Sequence, residues 1–145
     1  MKASNKKFNL LFVCRHNRFR SKFAEAYFKK INKDKNIKVK SAGIFPGEYP
    51  LDKTEMKVAG KLGIALKGRP KPVTTNLLEW NDLIVLITND LPSPKKIFNY
   101  SKFRSNVIVW KIRDDYYNDE KDIEGILKEI IVRVDELSKK LEKRK

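Results

Sequence analysis

The sequence predicts an α/β protein of three layers, in which helices cover both faces of a central, mostly parallel four-stranded sheet. Short apolar runs of strand length alternate with helical patterns along the chain, as is typical of parallel sheets. The chain has 145 residues, of which 41% are hydrophobic, and this suits one domain with one core. We therefore treat residues 1–145 as a single domain and expect only 1–7 and 139–145 to be flexible.

The first half of the chain contains two predicted strands and two predicted helices. An apolar run over 8–13 predicts the first strand, and apolar residues at helical spacing predict a helix over 21–32. Alternation of apolar and polar residues over 37–41 predicts the second strand. Asp52, with Glu55 three residues later, has the pattern of a capping box and predicts a second helix that begins there.

The second half predicts the remaining strands and helices. Continuous apolar runs over 83–88 and 107–110 are typical of buried strands in a parallel sheet, and a short helix over 75–80 precedes them. The final helix has one apolar stripe between residues 123 and 141. We expect its basic tail, 139–145, to be frayed and solvated.

The chain is strongly basic. Its formal net charge is +15, because 33 Lys and Arg residues outnumber 18 Asp and Glu residues. A net positive charge of this size creates an electrostatic field that attracts phosphoesters, nucleic acid or anionic membranes. The basic residues are scattered, so we interpret them as a general anion-attracting surface and do not expect nucleic acid as the partner. No apolar stretch suits a secretory signal or a membrane span, so we expect a cytoplasmic monomer or weak dimer without a membrane partner.

The cysteine and histidine counts limit the possible chemistry. One Cys excludes an internal disulfide and a zinc site of paired thiolates, and one His excludes a His-rich metal site. We therefore expect no metal and no cofactor. The single Cys14 then becomes the residue whose surroundings matter most.

Cys14 lies between the first predicted strand and the first predicted helix. Unpaired N–H groups and the helix dipole favour an anion there, and the same groups stabilise a thiolate. If the loop curls around an oxyanion, Arg20 returns beside the sulfur and its planar fork binds two oxygens. Ser21 can donate to the sulfur, and Asn17 tolerates left-handed backbone and can brace the loop. The competing interpretation is an inert, buried cysteine.

The run from Phe12 to Ala26 resembles the signature of the low-molecular-weight protein tyrosine phosphatases and of the arsenate reductases that share their fold. The likeness covers almost the whole chain in the same order and spacing, and it extends through the following segments: Ser41-Ala42-Gly43, Pro50-Leu51-Asp52, Leu62-Gly63-Ile64, Asp82-Leu83-Ile84-Val85-Leu86 and Asp114-Asp115-Tyr116-Tyr117. The resemblance implies a fold like that of phosphotyrosine protein phosphatase I.

The resemblance also implies a two-step hydrolysis. Cys14 attacks phosphorus to give a cysteinyl-phosphate, and Asp114 protonates the leaving oxygen before it deprotonates the attacking water. Arg20 and the backbone amides of residues 15–20 stabilise the equatorial oxygens. The register of the resemblance favours Asp114 as the acid, with Asp115 as the alternative.

Further site residues are assigned from the same resemblance. Tyr116 and Tyr117 are candidates for one aromatic wall of the substrate site, with core packing as the alternative for at least one of them, and Phe45 and Tyr49 are candidates for the opposite wall. The substrate-binding and phosphate-binding residues of the loop are Arg15, His16, Asn17, Arg18, Phe19 and Ser21, with His16 at the rim. Ser41 and Asp52 are expected to support the site, Ser41 by holding Asn17.

The sequence departs from the family pattern in three places. Asp115 stands where the family has a proline, which is expected to loosen the acid loop. Phe19 stands where many members have a second cysteine. The loop over 67–72 lacks a histidine that many members carry there.

These observations predict hydrolysis of phosphate monoesters, with protein phosphotyrosine as the favoured substrate and phosphoarginine or a small phosphoester as alternatives. Two other functions are kept open. Arsenate reduction on this fold needs further cysteines or an external thiol, because Cys14 has no partner cysteine. A non-catalytic module that binds phosphate or nucleic acid is the other, and its binding would depend strongly on salt.

Overall fold

A computed structural model describes residues 6–47, 50–98 and 106–144, which form four strands and five helices. In chain order these are β1 (Phe8–Cys14), α1 (Arg20–Ile31), β2 (Ile37–Gly43), α2 (Lys53–Lys61), α3 (Thr75–Trp80), β3 (Leu83–Ile87), α4 (Pro94–Ile97), β4 (Asn106–Trp110) and α5 (Glu120–Glu142). The predicted alternation of strands and helices is confirmed.

The four strands form one sheet in the order β2-β1-β3-β4, and every neighbouring pair is parallel. In the middle of the sheet Leu10 of β1 lies beside Val39 of β2 on one side and Leu83 of β3 on the other. Parallel strands need crossover connections, and these place the helices on the faces of the sheet. The carboxyl ends of all four strands therefore meet at one edge.

Two hydrophobic cores lie on opposite faces of the sheet. Leu10 and Phe12 of β1 face the larger core, which they share with residues of α1, α2 and α5. Leu11 and Val13 face the smaller core, beside Leu77 of α3. Because side chains alternate along a strand, the wholly apolar run of β1 fills both cores. The three-layer architecture predicted from the sequence is confirmed.

The structure differs from the predictions near the end of the chain. The α5 helix continues to Glu142, Leu141 is buried, and Arg144 forms an ion pair of 3.0 Å with Asp34. Residues 139–142 of the tail expected to be frayed are thus helical, and Leu141 packs into the larger core because the apolar stripe extends to it. Among the described residues, no helix is both long enough and apolar enough to cross a membrane.

The β4 strand was predicted to be buried and is not. It lies at the edge of the sheet, and Ile108 is 40% exposed. An apolar run shows that a strand suits a sheet, but not whether the strand lies in the middle or at the edge. The first helix begins at Arg20, one residue earlier than predicted, and ends at Ile31.

Candidate active site

The loop that carries Cys14 lies at the carboxyl edge of the sheet. We call residues 14–21 the Cys14 loop; β1 ends at Cys14 and α1 begins at Arg20. Two backbone bonds hold the loop to the chain after β2, from the Ile44 N–H to the Cys14 carbonyl (3.0 Å) and from the Phe45 N–H to the Arg15 carbonyl (2.7 Å). The first turn of α1 contains no acidic residue, so its positive end favours a bound anion.

Two donors face the sulfur of Cys14. The Sγ atom lies 3.0 Å from the hydroxyl oxygen of Ser21, and the backbone N–H of Asn17 points at Sγ from 3.3 Å. Both groups can donate to a thiolate, and the hydroxyl continues to do so when sulfur becomes the leaving group. The inert-cysteine interpretation does not explain why polar donors surround this buried sulfur.

Asn17 braces the Cys14 loop from within, as the sequence predicts. Its φ of 54° lies in the left-handed region, and its side chain is fully buried. The amide nitrogen donates to the hydroxyls of Ser21 (2.7 Å) and Ser41 (3.0 Å), and the amide oxygen accepts from the Lys71 N–H (2.9 Å). Ser41 in turn donates to Glu25 at 2.5 Å. The serine of β2 therefore supports the loop through Asn17.

Gly43 is expected to tolerate no side chain. A Cβ atom at this position would lie 2.7 Å from the backbone nitrogen of Asn17 and 2.7 Å from the carbonyl carbon of His16. We expect Gly43→Ala to destabilise the protein by about 1–3 kcal/mol and to lower kcat/KM about 10-fold or more, because the Cys14 loop must move. Thermal unfolding and steady-state kinetics measure both effects.

Gly60 of α2 provides the control, since a Cβ atom there would contact nothing within 4 Å. Gly60→Ala is expected to keep full activity and to gain about 0.5–1 kcal/mol of stability. Equal activity of the two variants would contradict the close packing of Gly43 against the loop.

Arg20 is buried beside the Cys14 loop, with 2% of its surface exposed. One terminal nitrogen donates to the carbonyl of Ile112 at 2.8 Å, and the other lies 3.4 Å from a carboxylate oxygen of Asp114. The Nε atom is buried without a hydrogen-bond partner among the described residues. The guanidinium is thus held in one orientation by the segment after β4, and its planar fork is available to an oxyanion.

A small cavity of about 90 Å³ opens above the sulfur. Its walls carry both signs of charge, with basic groups on the Cys14 loop and acidic groups on α2 and on the segment after β4. The lining residues are Cys14, His16, Arg18, Phe19, Arg20, Glu55, Asp114 and Asp115. The cavity brings together the predicted nucleophile, the predicted arginine and both candidate acids.

The two aspartates of the acid loop, residues 111–119, have different surroundings. Asp114 faces Arg20 with one oxygen and accepts the N–H of Asp115 with the other (2.8 Å). Asp115 accepts the N–H groups of Tyr117 (3.3 Å) and Asn118 (2.8 Å). We expected Asp115 to loosen the loop because it replaces a proline, but its carboxylate ties the loop together. Asp114 is the aspartate that the structure places beside Arg20.

Glu55 was not predicted to be a site residue. Asp52 caps α2 by accepting the Glu55 N–H at 2.9 Å, but the Glu55 side chain lines the cavity, and one of its oxygen atoms lies within 4.8 Å of an Asp115 oxygen. Burial, this contact and the charges of Asp115, Asp52 and Asp114 raise the pKa of Glu55 to about 9. The capping pattern in the sequence explains the backbone of Glu55, and no sequence signal shows that its side chain is buried.

The predicted aromatic walls lie outside the cavity lining. Tyr116 is 56% exposed and its hydroxyl lies 3.4 Å from the side-chain oxygen of Asn89. Phe45 is 57% exposed and lies below the guanidinium of Arg15. Tyr49 falls outside the described residues. Tyr116 and Phe45 are therefore exposed rings on segments next to the cavity, rather than parts of its floor.

The remaining predicted residues of the Cys14 loop have specific contacts. Arg15 forms an ion pair of 3.5 Å with Asp90, and a ring nitrogen of His16 lies 2.7 Å from the carbonyl of Phe45. Arg18 donates to the carbonyl of Pro50 at 2.7 Å. Phe19 is buried in the larger core, so only its backbone suits phosphate binding. His16 and Arg18 line the cavity.

A buried cysteine at the end of a parallel strand, with an arginine and a carboxylate in the same cavity, is typical of enzymes that use a cysteine nucleophile on oxyanions such as phosphate. The family comparison agrees with this class. Residues 9–145 match the model of the low molecular weight phosphotyrosine protein phosphatases, and the chain belongs to that family.

Individual relatives include enzymes of two kinds. A protein-arginine-phosphatase of Bacillus subtilis is 33% identical over 110 residues, which are 71% of this chain and 70% of that protein. The solved structure of a YwlE mutant from Bacillus subtilis is 25% identical, with a TM-score of 0.82 over 94% of this chain and 100% of that one. An arsenate reductase from Archaeoglobus fulgidus is 30% identical, with a TM-score of 0.67 over 89% of this chain and 98% of that one.

Proposed function

We propose that this protein hydrolyses phosphate monoesters of protein side chains through a cysteinyl-phosphate intermediate. One observation carries the proposal: the sulfur of Cys14, with two donors at 3.0 and 3.3 Å, shares one cavity with the buried Arg20 and with Asp114. Nucleophile, charge-stabilising group and proton donor are the three functions that such a reaction needs.

The first step transfers the phosphoryl group to sulfur. The Cys14 thiolate attacks phosphorus, the S–P bond forms and the bond to the leaving oxygen breaks. Asp114 gives its proton to that oxygen, so the alcohol leaves neutral. Arg20 and the N–H groups at the start of α1 stabilise the charge on the equatorial oxygens.

The second step regenerates the enzyme. Asp114, now a carboxylate, accepts a proton from water while the water oxygen attacks phosphorus. The S–P bond breaks, and inorganic phosphate and the thiolate result. The hydroxyl of Ser21, 3.0 Å from the sulfur, stabilises the departing thiolate.

The favoured substrate residue is phosphotyrosine. Tyr116 and Phe45 present exposed rings on the acid loop and on the segment after β2, where a phenyl ring above the cavity can stack on them. The family to which the chain belongs carries the same specificity in its name.

Phosphoarginine is a second candidate, which one feature of the cavity favours. Asp114 and Asp115 line the cavity, and carboxylates suit a guanidinium group that carries the phosphoryl group. The Bacillus subtilis relative is named for this activity. Arsenate reduction has less support, because the chain contains one cysteine and would need an external thiol to resolve an arseno-enzyme.

A comparison of substrates tests the proposal. Matched peptides that carry phosphotyrosine or phosphoarginine at one position are assayed for phosphate release, and arsenate is assayed with an added thiol. We expect phosphate release at low-micromolar concentrations of enzyme, with phosphotyrosine as the preferred substrate. Preference for phosphoarginine would select the second candidate. Thiol-dependent arsenate reduction without any phosphate release would overturn the proposed function.

Asp114→Asn is expected to separate substrates by their leaving groups. The variant cannot donate the proton, so kcat/KM for phenyl phosphate, which reports the phosphoryl transfer to sulfur, should fall about 100-fold, whereas kcat/KM for p-nitrophenyl phosphate, whose leaving group needs little help, should fall much less. Asp115→Asn is the matched comparison on the same loop. If Asp115→Asn shows the steeper dependence on the leaving group, the roles assigned to the two aspartates are wrong.

A further inference from the structure

The acid loop is fastened to the start of α2. Asn118, which has a φ of 53°, donates from its amide nitrogen to the Asp52 carboxylate (2.8 Å) and accepts from the Thr54 hydroxyl (3.0 Å). Asp52 is also the cap of α2, so the loop and the helix share one carboxylate. The position of Asp114 over the cavity therefore depends on contacts made by residues of α2.

Glu55 forms the inner part of this contact. Oxygen atoms of Asp52, Glu55 and Asp115 lie within 4.8 Å of one another. Ionised carboxylates are acceptors only and repel one another at this distance, so a hydrogen bond between Glu55 and Asp115 requires one proton. Glu55 is the more buried member of the pair, with 9% of its surface exposed. The proton is therefore best placed on Glu55.

The charges around Glu55 keep this proton in place. From the acid loop Asp114 and Asp115 face it, and from its own helix the cap Asp52 does so; all three disfavour ionisation. Among the residues that line the cavity, the basic groups belong to the Cys14 loop. They are His16, Arg18 and Arg20, of which Arg20 lies beside Asp114.

We propose that Glu55 is a positioning residue for the acid step: its protonated carboxyl donates a hydrogen bond to Asp115 and so holds the acid loop with Asp114 beside Cys14 and Arg20. This inference rests on the proposed function, because it gives Glu55 a role through Asp114. It also explains how Asp115 replaces a proline without loss of order. The proton is shared with Asp115 and is not consumed in turnover.

The arrangement makes the site sensitive to alkaline pH. When Glu55 loses its proton, the bond to Asp115 becomes a repulsion between two carboxylates, with Asp52 and Asp114 adding to it. The acid loop then moves away from the sulfur. Activity that depends on Asp114 falls as the pH approaches about 9, the pKa of Glu55.

Kinetics of Glu55→Gln and Glu55→Ala test the role. Glutamine keeps a donor for Asp115 and cannot ionise, so we expect wild-type activity near neutral pH and a smaller decline towards about pH 9.5. Alanine removes the donor, so kcat/KM for phenyl phosphate should fall about 10-fold or more, while kcat/KM for p-nitrophenyl phosphate changes little. Glu136→Gln, an exposed position on α5, is the control and should match the wild type.

Thermal unfolding tests the proton without using activity. The raised pKa means that the folded protein holds a proton that the unfolded chain releases above about pH 4.5, so this contribution to stability is lost as the pH rises from about 4.5 to about 9. Glu55→Gln lacks that loss. Its melting temperature relative to the wild type should therefore rise between about pH 5 and about pH 9, by about 3 °C or more.

Four outcomes would overturn the proposal. The first is a Glu55→Gln variant as impaired as Glu55→Ala, and the second is a Glu55→Ala variant that slows the hydrolysis of both aryl phosphates equally. A melting-temperature difference independent of pH would show that Glu55 is ionised at neutral pH. If added Ca²⁺ shifts the pH profile of the wild type but not of Glu55→Gln, the carboxyl cluster binds a cation instead. If the wild type is inactive but shows the expected unfolding profile, the proposed function is wrong, whereas the proton shared by Glu55 and Asp115 is still supported.

Discussion

Cys14→Ser is expected to lower kcat at least about 10⁴-fold, because a serine hydroxyl in this loop has no general base to activate it. The two groups that face the sulfur, the Ser21 hydroxyl and the Asn17 N–H, both donate hydrogen bonds to an anion. They stabilise a thiolate but cannot remove a proton from a hydroxyl. Phosphate release and burst-phase kinetics measure the loss.

Binding should survive this substitution. Arg20 and the start of α1 are unchanged in Cys14→Ser, so we expect inorganic phosphate and vanadate to bind within about 10-fold of their wild-type affinity by calorimetry. Because the chain contains one cysteine, iodoacetate labels Cys14 alone, and phosphate should slow that labelling. Residual turnover above a hundredth of the wild-type rate would exclude Cys14 as the nucleophile.

Arg20→Lys is expected to lower kcat/KM about 10²–10³-fold although the positive charge is kept. The guanidinium contacts the Ile112 carbonyl at 2.8 Å and Asp114 at 3.4 Å with different nitrogens. A single ammonium group cannot make both contacts and also bind two oxygens of a phosphoryl group. The loss should appear in kcat more than in KM, because the fork stabilises charge that develops in the transition state.

Arg133→Lys is the matched control for this substitution. Arg133 lies on α5 and forms an ion pair of 3.8 Å with Glu129, four residues earlier. We expect its replacement to leave kcat/KM within about two-fold of the wild type and to change stability by less than about 0.5 kcal/mol. An Arg20→Lys variant that keeps more than a tenth of the wild-type kcat/KM would contradict the role of the planar fork.

The sheet and most helices follow from local patterns in the sequence. The apolar run that forms β1 and the alternation in β2 each lie within seven residues, and Asp52 caps α2 through the Glu55 N–H as predicted. Such patterns predict secondary structure because its hydrogen bonds and side-chain directions depend on residues only a few positions apart. The edge position of β4 was not predictable, since it depends on which strands pair.

The Cys14 loop was predicted more fully than the acid loop. Cys14, Asn17 and Arg20 lie within one segment of seven residues, and α1 begins at Arg20. Asp114 and Asp115 are adjacent and chemically alike, so only the fold distinguishes the one that faces Arg20 from the one that faces Glu55. Tyr116 was assigned to a substrate wall from resemblance, and the structure places its ring outside the cavity lining.

The sequence by itself determined that one cysteine occupies an anion-binding loop between a strand and a helix of an α/β protein. These features are local, since they depend on residue order over a dozen positions. Only the tertiary structure decided which acid lies beside Arg20 and that burial among carboxyl groups raises the pKa of Glu55. The reason is electrostatic: the protonation of a carboxyl depends on its burial and on charges brought from distant parts of the chain, here from Asp114 and Asp115 some sixty residues away.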